Sequence, residues 1–134
     1  MRLINLIVFS STLTLLHGCD MGTAGSERAA RDHYHQEFQK WIAGDDSEVT
    51  TMEYRLGLQP PIGYDIRSVA SEEPDSLAYD RSLGLPDNWQ EWPAYKLNVA
   101  IEWKSEAGTP LEKVTTYRLT WNAHEQKWYV KERF

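Results

Sequence analysis

Alternating apolar and polar residues dominate the chain after residue 94 and constrain its fold more than any other feature. The apolar residues on the shared face are Tyr95, Leu97, Val99, Ile101, Trp103, Tyr117, Leu119, Trp121, Trp128 and Val130. A period of two places such side chains on one face of β-strands. The turn sequences SEAGTP and NAHEQ divide the pattern into three runs, and short turns join antiparallel neighbours. The sequence therefore predicts a three-stranded antiparallel meander.

Two shorter alternating runs precede the meander. The first begins near Glu48 and continues through Met52 to Leu58, and the second runs from Ile62 to about Ala70. The proline-containing stretch QPPIG separates them, and proline interrupts a strand because it has no N–H group to donate. Together with the meander, these runs predict a curved antiparallel sheet of about five strands.

One long amphipathic helix is predicted before the sheet, in the stretch ERAARDHYHQEFQKWIAGDD. Its apolar stripe consists of Ala30, Tyr34, Phe38, Trp41 and Ile42. These spacings of three and four residues are typical of a helix that buries one face. Ser26 can cap the first turn, and Gly44 stands where a left-handed residue ends many helices.

The segment 71–94 is a long connection between the predicted strands. Pro74 can begin a short helix that Gly84 ends. Trp89 and Trp92 follow in a proline-flanked stretch. Connections of this length in small domains are often functional.

A single helix laid on an antiparallel sheet is an α+β architecture. The order of helix, strands, long connection and three final strands ending in KWYV resembles the cystatin-like group of small domains, with the NTF2-like group as the alternative. We expect one such domain over residues 27–134, because no shift in composition suggests a second one.

The N-terminus has the layout of an export signal, because Arg2 precedes an apolar run at residues 3–16. This run is shorter than the roughly twenty residues that a membrane-spanning helix needs. We therefore expect residues 1–18 to be a signal peptide and not a permanent transmembrane helix.

The residues Leu16-His17-Gly18-Cys19 at the end of that run resemble the lipobox of bacterial lipoproteins. The resemblance implies cleavage between Gly18 and Cys19, a diacylglyceryl group on the Cys19 thiol, and attachment to a membrane of the bacterial envelope. Residues 19–26 would then be a lipidated cysteine and a flexible tether. Two alternatives stay open: secretion as a soluble or periplasmic protein after cleavage behind Ala24, and an incidental or buried thiol.

Charge and cysteine content restrict the partners of the exported chain. Loss of Arg2 with the signal leaves 13 basic residues (14 − 1) against 20 acidic residues, a net charge of −7. An acidic domain is repelled by phosphate backbones, which argues against nucleic acid as a partner. Cys19 is the only cysteine, so no disulfide can form within the chain.

The sequence contains no recognisable catalytic motif, and we predict no catalytic residue, metal or cofactor. His33 and His35 diverge by about 200° on a helix, whereas shared metal ligands need a spacing of three or four residues. Asp65 lies between Tyr64 and Ile66 in a predicted strand, so its side chain points away from both.

Tryptophan is abundant, with six residues in the chain, and position divides the six into two groups. Trp41, Trp103, Trp121 and Trp128 lie on apolar stripes and are expected in the core. Trp89 and Trp92 lie outside any stripe, and with Tyr79 and Tyr95 they could form an exposed contact for an envelope protein, peptide or glycan. The alternative is a packed lid that covers one end of the sheet.

These features predict an envelope lipoprotein whose domain is a binding or structural module and not an enzyme. The alternative is a small-molecule-binding domain or NTF2-like enzyme that uses the concave face of the sheet. An enzyme of that kind needs a pocket with converging polar groups.

Overall fold

The computed structural model describes residues 23–52, 59–78, 82, 84 and 86–133. These described residues form an α+β fold with one long helix and a four-stranded antiparallel sheet that does not close. The elements are α1 (Glu27–Ile42), β1 (Gly63–Ser71), β2 (Ala94–Lys104), β3 (Pro110–Asn122) and β4 (Lys127–Arg133). The strand order in the sheet follows the chain, β1-β2-β3-β4.

Helix α1 begins and ends with the residues that the sequence predicts. The Ser26 hydroxyl accepts a hydrogen bond from the Ala29 backbone N–H at 3.1 Å, which satisfies a donor that the first turn leaves open. Gly44 has a φ of +82°, in the left-handed region. The apolar stripe is buried except for Ile42, which is 40% exposed. The inclusion of Ile42 in that stripe was wrong, because the helix ends there.

The predicted meander is confirmed. β2 pairs with β3 from Ala94 opposite Thr120 to Lys104 opposite Pro110. β3 pairs with β4 from Thr116 opposite Arg133 to Asn122 opposite Lys127. The predicted apolar face of these strands meets helix α1 and forms the core.

The prediction of five strands is corrected to four in the described part of the chain. Residues 48–51 form a turn and irregular backbone without sheet pairing, and Met52 has helical backbone. Residues 53–58 of the predicted first strand lie outside the described residues. The second predicted run is confirmed as β1, but Ile62 precedes the strand and is half exposed. A register shift between Ile66 and Ser68 interrupts the β1–β2 ladder.

The short helix predicted between Pro74 and Gly84 is absent from residues 74–78, which form an extended segment and a turn. This segment binds the sheet face opposite the helix. The Asp75 backbone N–H donates to the Thr120 hydroxyl at 3.0 Å, and the Asn122 amide donates to the Ala78 carbonyl at 2.7 Å. Farther along, Trp89–Glu91 form a single 3-10 turn.

Aromatic rings fill the space between helix and sheet. Tyr34 meets Tyr64 and Tyr117 edge to face, with ring centroids 5.2 and 5.0 Å apart. The Tyr117 hydroxyl donates to the Val49 carbonyl at 2.8 Å, which fixes the loop after the helix to the sheet. Among the described residues, no helix has the length and apolar character to cross a membrane.

Candidate functional site

The residues just before helix α1 are built into the fold. Gly25 is buried with a φ of +87°, and its carbonyl accepts a hydrogen bond from the Tyr95 hydroxyl at 2.9 Å. A Cβ atom at this position would lie 2.8 Å from Cδ1 of Trp121 and 3.2 Å from Cγ of Pro93. We call this contact of Gly25 with Pro93, Tyr95 and Trp121 the N-terminal dock.

A backbone hydrogen bond and a ring contact fix the position of Trp121 in the dock. The Trp121 backbone N–H donates to the Pro93 carbonyl at 2.8 Å. The Trp121 ring lies 5.3 Å from the Trp128 ring, centroid to centroid. Glycine is required at residue 25 by both the positive φ and the close approach of the indole ring.

Part of the predicted flexible tether belongs to the folded domain. Gly25 is buried, Ser26 caps the helix, and the Ser26 N–H donates to the Thr23 carbonyl at 3.0 Å, so residues 23–26 form a turn that packs on the domain. The lipobox residues, with Gly18 and Cys19, lie outside the described residues. Six residue steps separate Cys19 from Gly25, and a fully extended chain covers at most about 22 Å over that number.

The aromatic residues predicted to form an exposed contact have different environments. Trp92 is only 4% exposed, which contradicts an exposed contact at this position and agrees with the packed alternative. It follows the 3-10 turn directly and enters β2 through Pro93, so its ring turns inward. Tyr95 is half buried and uses its hydroxyl in the dock. Trp89 keeps part of its surface exposed, and Tyr79 lies outside the described residues.

A polar cleft lies at the other end of helix α1. The carboxylate of Glu37 is buried, lies 2.6 Å from the Lys40 ammonium, and accepts a hydrogen bond from the Glu48 backbone N–H at 3.0 Å. The Ser47 hydroxyl donates to the Glu37 carbonyl at 2.5 Å. Glu37 therefore fastens the loop that follows the helix.

The ionisation of Glu37 follows from these contacts. Burial by itself raises the pKa of the Glu37 carboxyl, but the hydrogen bonds from Lys40 and from the Glu48 N–H outweigh burial and lower the pKa below its ordinary value. The sequence contains a signal for this residue, because Glu37 falls on the apolar stripe between Tyr34 and Trp41. A carboxylate at such a position needs partners.

The cleft has a volume of about 620 Å³ and is lined by Glu37, Lys40, Gly44, Asp45, Asp46, Ser47, Glu48 and Thr50. Pockets for small organic ligands are mostly apolar with a few polar groups. This lining is polar and mainly acidic, so its chemistry differs from that of a typical ligand pocket.

The histidines diverge as their spacing predicts. Nε2 of His33 lies 3.1 Å from a carboxylate oxygen of Glu48, whereas Nδ1 of His35 lies 2.6 Å from the Tyr64 hydroxyl. In the part of the chain that the structure describes, no three His, Cys, Asp or Glu side chains gather as a metal ion would require.

Asp65 is exposed and pairs with Arg67 at 3.0 Å, on the opposite side of β1 from the core-facing Tyr64. The prediction that Asp65 and Tyr64 point apart is confirmed. The two residues therefore do not form an acid–base pair.

Comparison of the chain with protein-family models, curated proteins and solved structures finds no match. The N-terminal sequence and the placement of the residues described above therefore carry the functional inference.

Proposed function

We propose that this chain is a bacterial lipoprotein, anchored to a membrane of the envelope through acyl groups on Cys19. Its domain acts as a binding or structural module. The sequence Leu16-His17-Gly18-Cys19 behind a short apolar run supports the anchor. Each buried methylene contributes about 0.8 kcal/mol, so two or three acyl chains hold a protein stably on a bilayer.

The N-terminal dock is the observation that supports this proposal most. Acyl groups on Cys19 would hold a domain that begins only a few residues later close to the bilayer, at a defined point of its surface. The dock provides such a point at Gly25, six residues after Cys19. Cleavage behind Ala24, the secretion alternative, would instead remove the residues that lead into the dock.

The packing of the apolar sheet face against helix α1 supports a module that is not an enzyme. Tyr34, Phe38 and Trp41 are fully buried between helix and sheet. A small-molecule binder or NTF2-like enzyme that uses this concave face needs room there for a substrate, and these side chains occupy it. The cystatin-like arrangement remains the proposed relationship, with one helix across an antiparallel sheet.

The anchor is tested by the intact mass of the N-terminal peptide from the membrane fraction. We expect a peptide that begins at Cys19 and carries acyl mass, and we expect the variant Cys19→Ser to yield no peptide with acyl mass at residue 19. A peptide that begins near Gly25 without lipid would show a soluble exported protein and overturn the proposal.

A further inference from the structure

The N-terminal dock lies at one end of a long sheet. Pro93 precedes the first residue of β2, and Trp121 stands next to the last residue of β3. β2 has 11 residues, which span about 35 Å at roughly 3.3 Å per residue. The turn between β2 and β3, residues 105–109, lies at the opposite end of these strands. The docked end and the hairpin end are therefore far apart.

Trp89 belongs to the docked end. The 3-10 turn Trp89–Glu91 leads through Trp92 into Pro93, and Pro93 contacts Gly25. Trp92 is buried, whereas Trp89 keeps part of its surface exposed. Tryptophan concentrates at membrane–water interfaces, because its ring is apolar and its N–H group is polar.

The charged residues near Trp89 indicate which headgroup charge this end of the domain favours. Asp87 and Glu91 lie two residues before and two residues after Trp89 in the chain, and both are exposed. Anionic headgroups repel carboxylates, and this repulsion acts within a Debye length of the surface. The surroundings of Trp89 therefore favour zwitterionic headgroups.

We infer that the docked end of the domain faces the bilayer, with Trp89 among zwitterionic headgroups and the β2–β3 hairpin pointing away from the membrane. The inference rests on the proposed acylation of Cys19, and it names the bilayer as the partner of the exposed tryptophan. The short tether brings this end to the surface, and the dock limits how freely the domain can rotate.

Two single-cysteine labels test the orientation on the full, acylated chain in zwitterionic vesicles. Gln90→Cys places an environment-sensitive dye beside Trp89, and Ala107→Cys places it in the hairpin. Both residues are exposed. Acylation blocks the thiol of Cys19, the only native cysteine, so the introduced thiol is the one that reacts. Quenching by lipids with a nitroxide on the headgroup reports proximity to the surface.

We expect quenching at residue 90 to exceed quenching at residue 107 several-fold. Trp89→Ala should reduce the signal at residue 90, whereas the control Leu111→Ala, at an exposed apolar residue near the hairpin, should leave it unchanged. Equal quenching at both labels, or stronger quenching at residue 107, would overturn the orientation.

These measurements distinguish a failure of the proposed orientation from a failure of the proposed acylation. Mass spectrometry of the same samples reports acylation of Cys19 independently of quenching, so an acylated chain without the quenching contrast contradicts the orientation alone. If residue 90 stays unquenched while Trp89→Ala loses a crosslinked envelope protein, the exposed ring contacts protein and not lipid, and the inference fails.

Discussion

Replacing Gly25 with alanine is expected to destabilise the domain by about 2–4 kcal/mol. A left-handed φ costs a residue with a Cβ atom about 1–2 kcal/mol, and the smaller entropy of the unfolded chain returns about 0.4–1 kcal/mol. The new Cβ would also lie 2.8 Å from the Trp121 ring. Trp121 cannot move away cheaply, because its backbone bonds Pro93 and its ring packs on Trp128. Overpacking of this kind costs about 1–3 kcal/mol.

Two other glycines provide matched controls. Gly44 and Gly108 have φ values of +82° and +81°, but a Cβ atom there would meet no atom within 4 Å. Gly44→Ala and Gly108→Ala therefore carry the backbone cost alone, about 1 kcal/mol. The difference between Gly25→Ala and these controls isolates the contact with Trp121.

Urea unfolding, followed by tryptophan fluorescence on the Cys19→Ser background, measures these differences. With an m-value of about 1.5 kcal/mol/M, Gly25→Ala should lower the midpoint by about 1.5–2.5 M, and each control by less than about 1 M. If Gly25→Ala is no more destabilising than the two controls, Gly25 does not pack against Trp121 and the dock is refuted.

Two further predictions concern buried polar groups. Because the pKa of Glu37 is lowered in the folded state, its contribution to stability is present above the unfolded pKa of about 4.3 and is lost as pH falls through the folded value. Glu37→Gln should therefore flatten the fall of the urea midpoint between about pH 5 and 3, and an unchanged slope would contradict this role. Tyr117→Phe removes the hydrogen bond to the Val49 carbonyl and should cost about 1–3 kcal/mol. Tyr34→Phe should stay within about 0.5 kcal/mol in the same assay, because the buried Tyr34 hydroxyl lies near the Tyr117 hydroxyl but does not reach hydrogen-bond geometry with any described residue. Equal losses would show that the two hydroxyls share one network.

The helix and the four observed strands could be predicted because their signals are local. A capping serine, an apolar stripe and a period of two act within a few residues. The predicted strand at residues 48–52 shows where local signals mislead. Val49 and Thr51 are fully buried while Met52 is half exposed, so the buried side is opposite to the one that the pattern suggested. The Tyr117 hydroxyl holds the Val49 backbone against the sheet, so the alternation of buried and exposed residues there does not come from strand pairing.

The contact residues could be predicted only in part. Trp89 and Trp92 are three residues apart in the same proline-flanked stretch, and neither belongs to an apolar stripe. The 3-10 turn decides that Trp92 enters the core and Trp89 stays near the surface. The role of Gly25 depends on Pro93 and Trp121, which are distant in sequence. Only the tertiary fold brings these residues together.

The dock makes the orientation of the domain depend on different residues from its membrane affinity. Acyl chains on Cys19 would keep the domain on the membrane whatever the state of Gly25, since membrane affinity depends on the buried methylene groups. Orientation depends on where the tether becomes rigid, because a longer flexible tether lets the domain rotate more freely. Gly25→Ala would disrupt the dock and release the chain up to the Ser26 cap. The acyl groups on Cys19 would stay in place. The variant should therefore stay in the membrane fraction but lose the quenching contrast between residues 90 and 107.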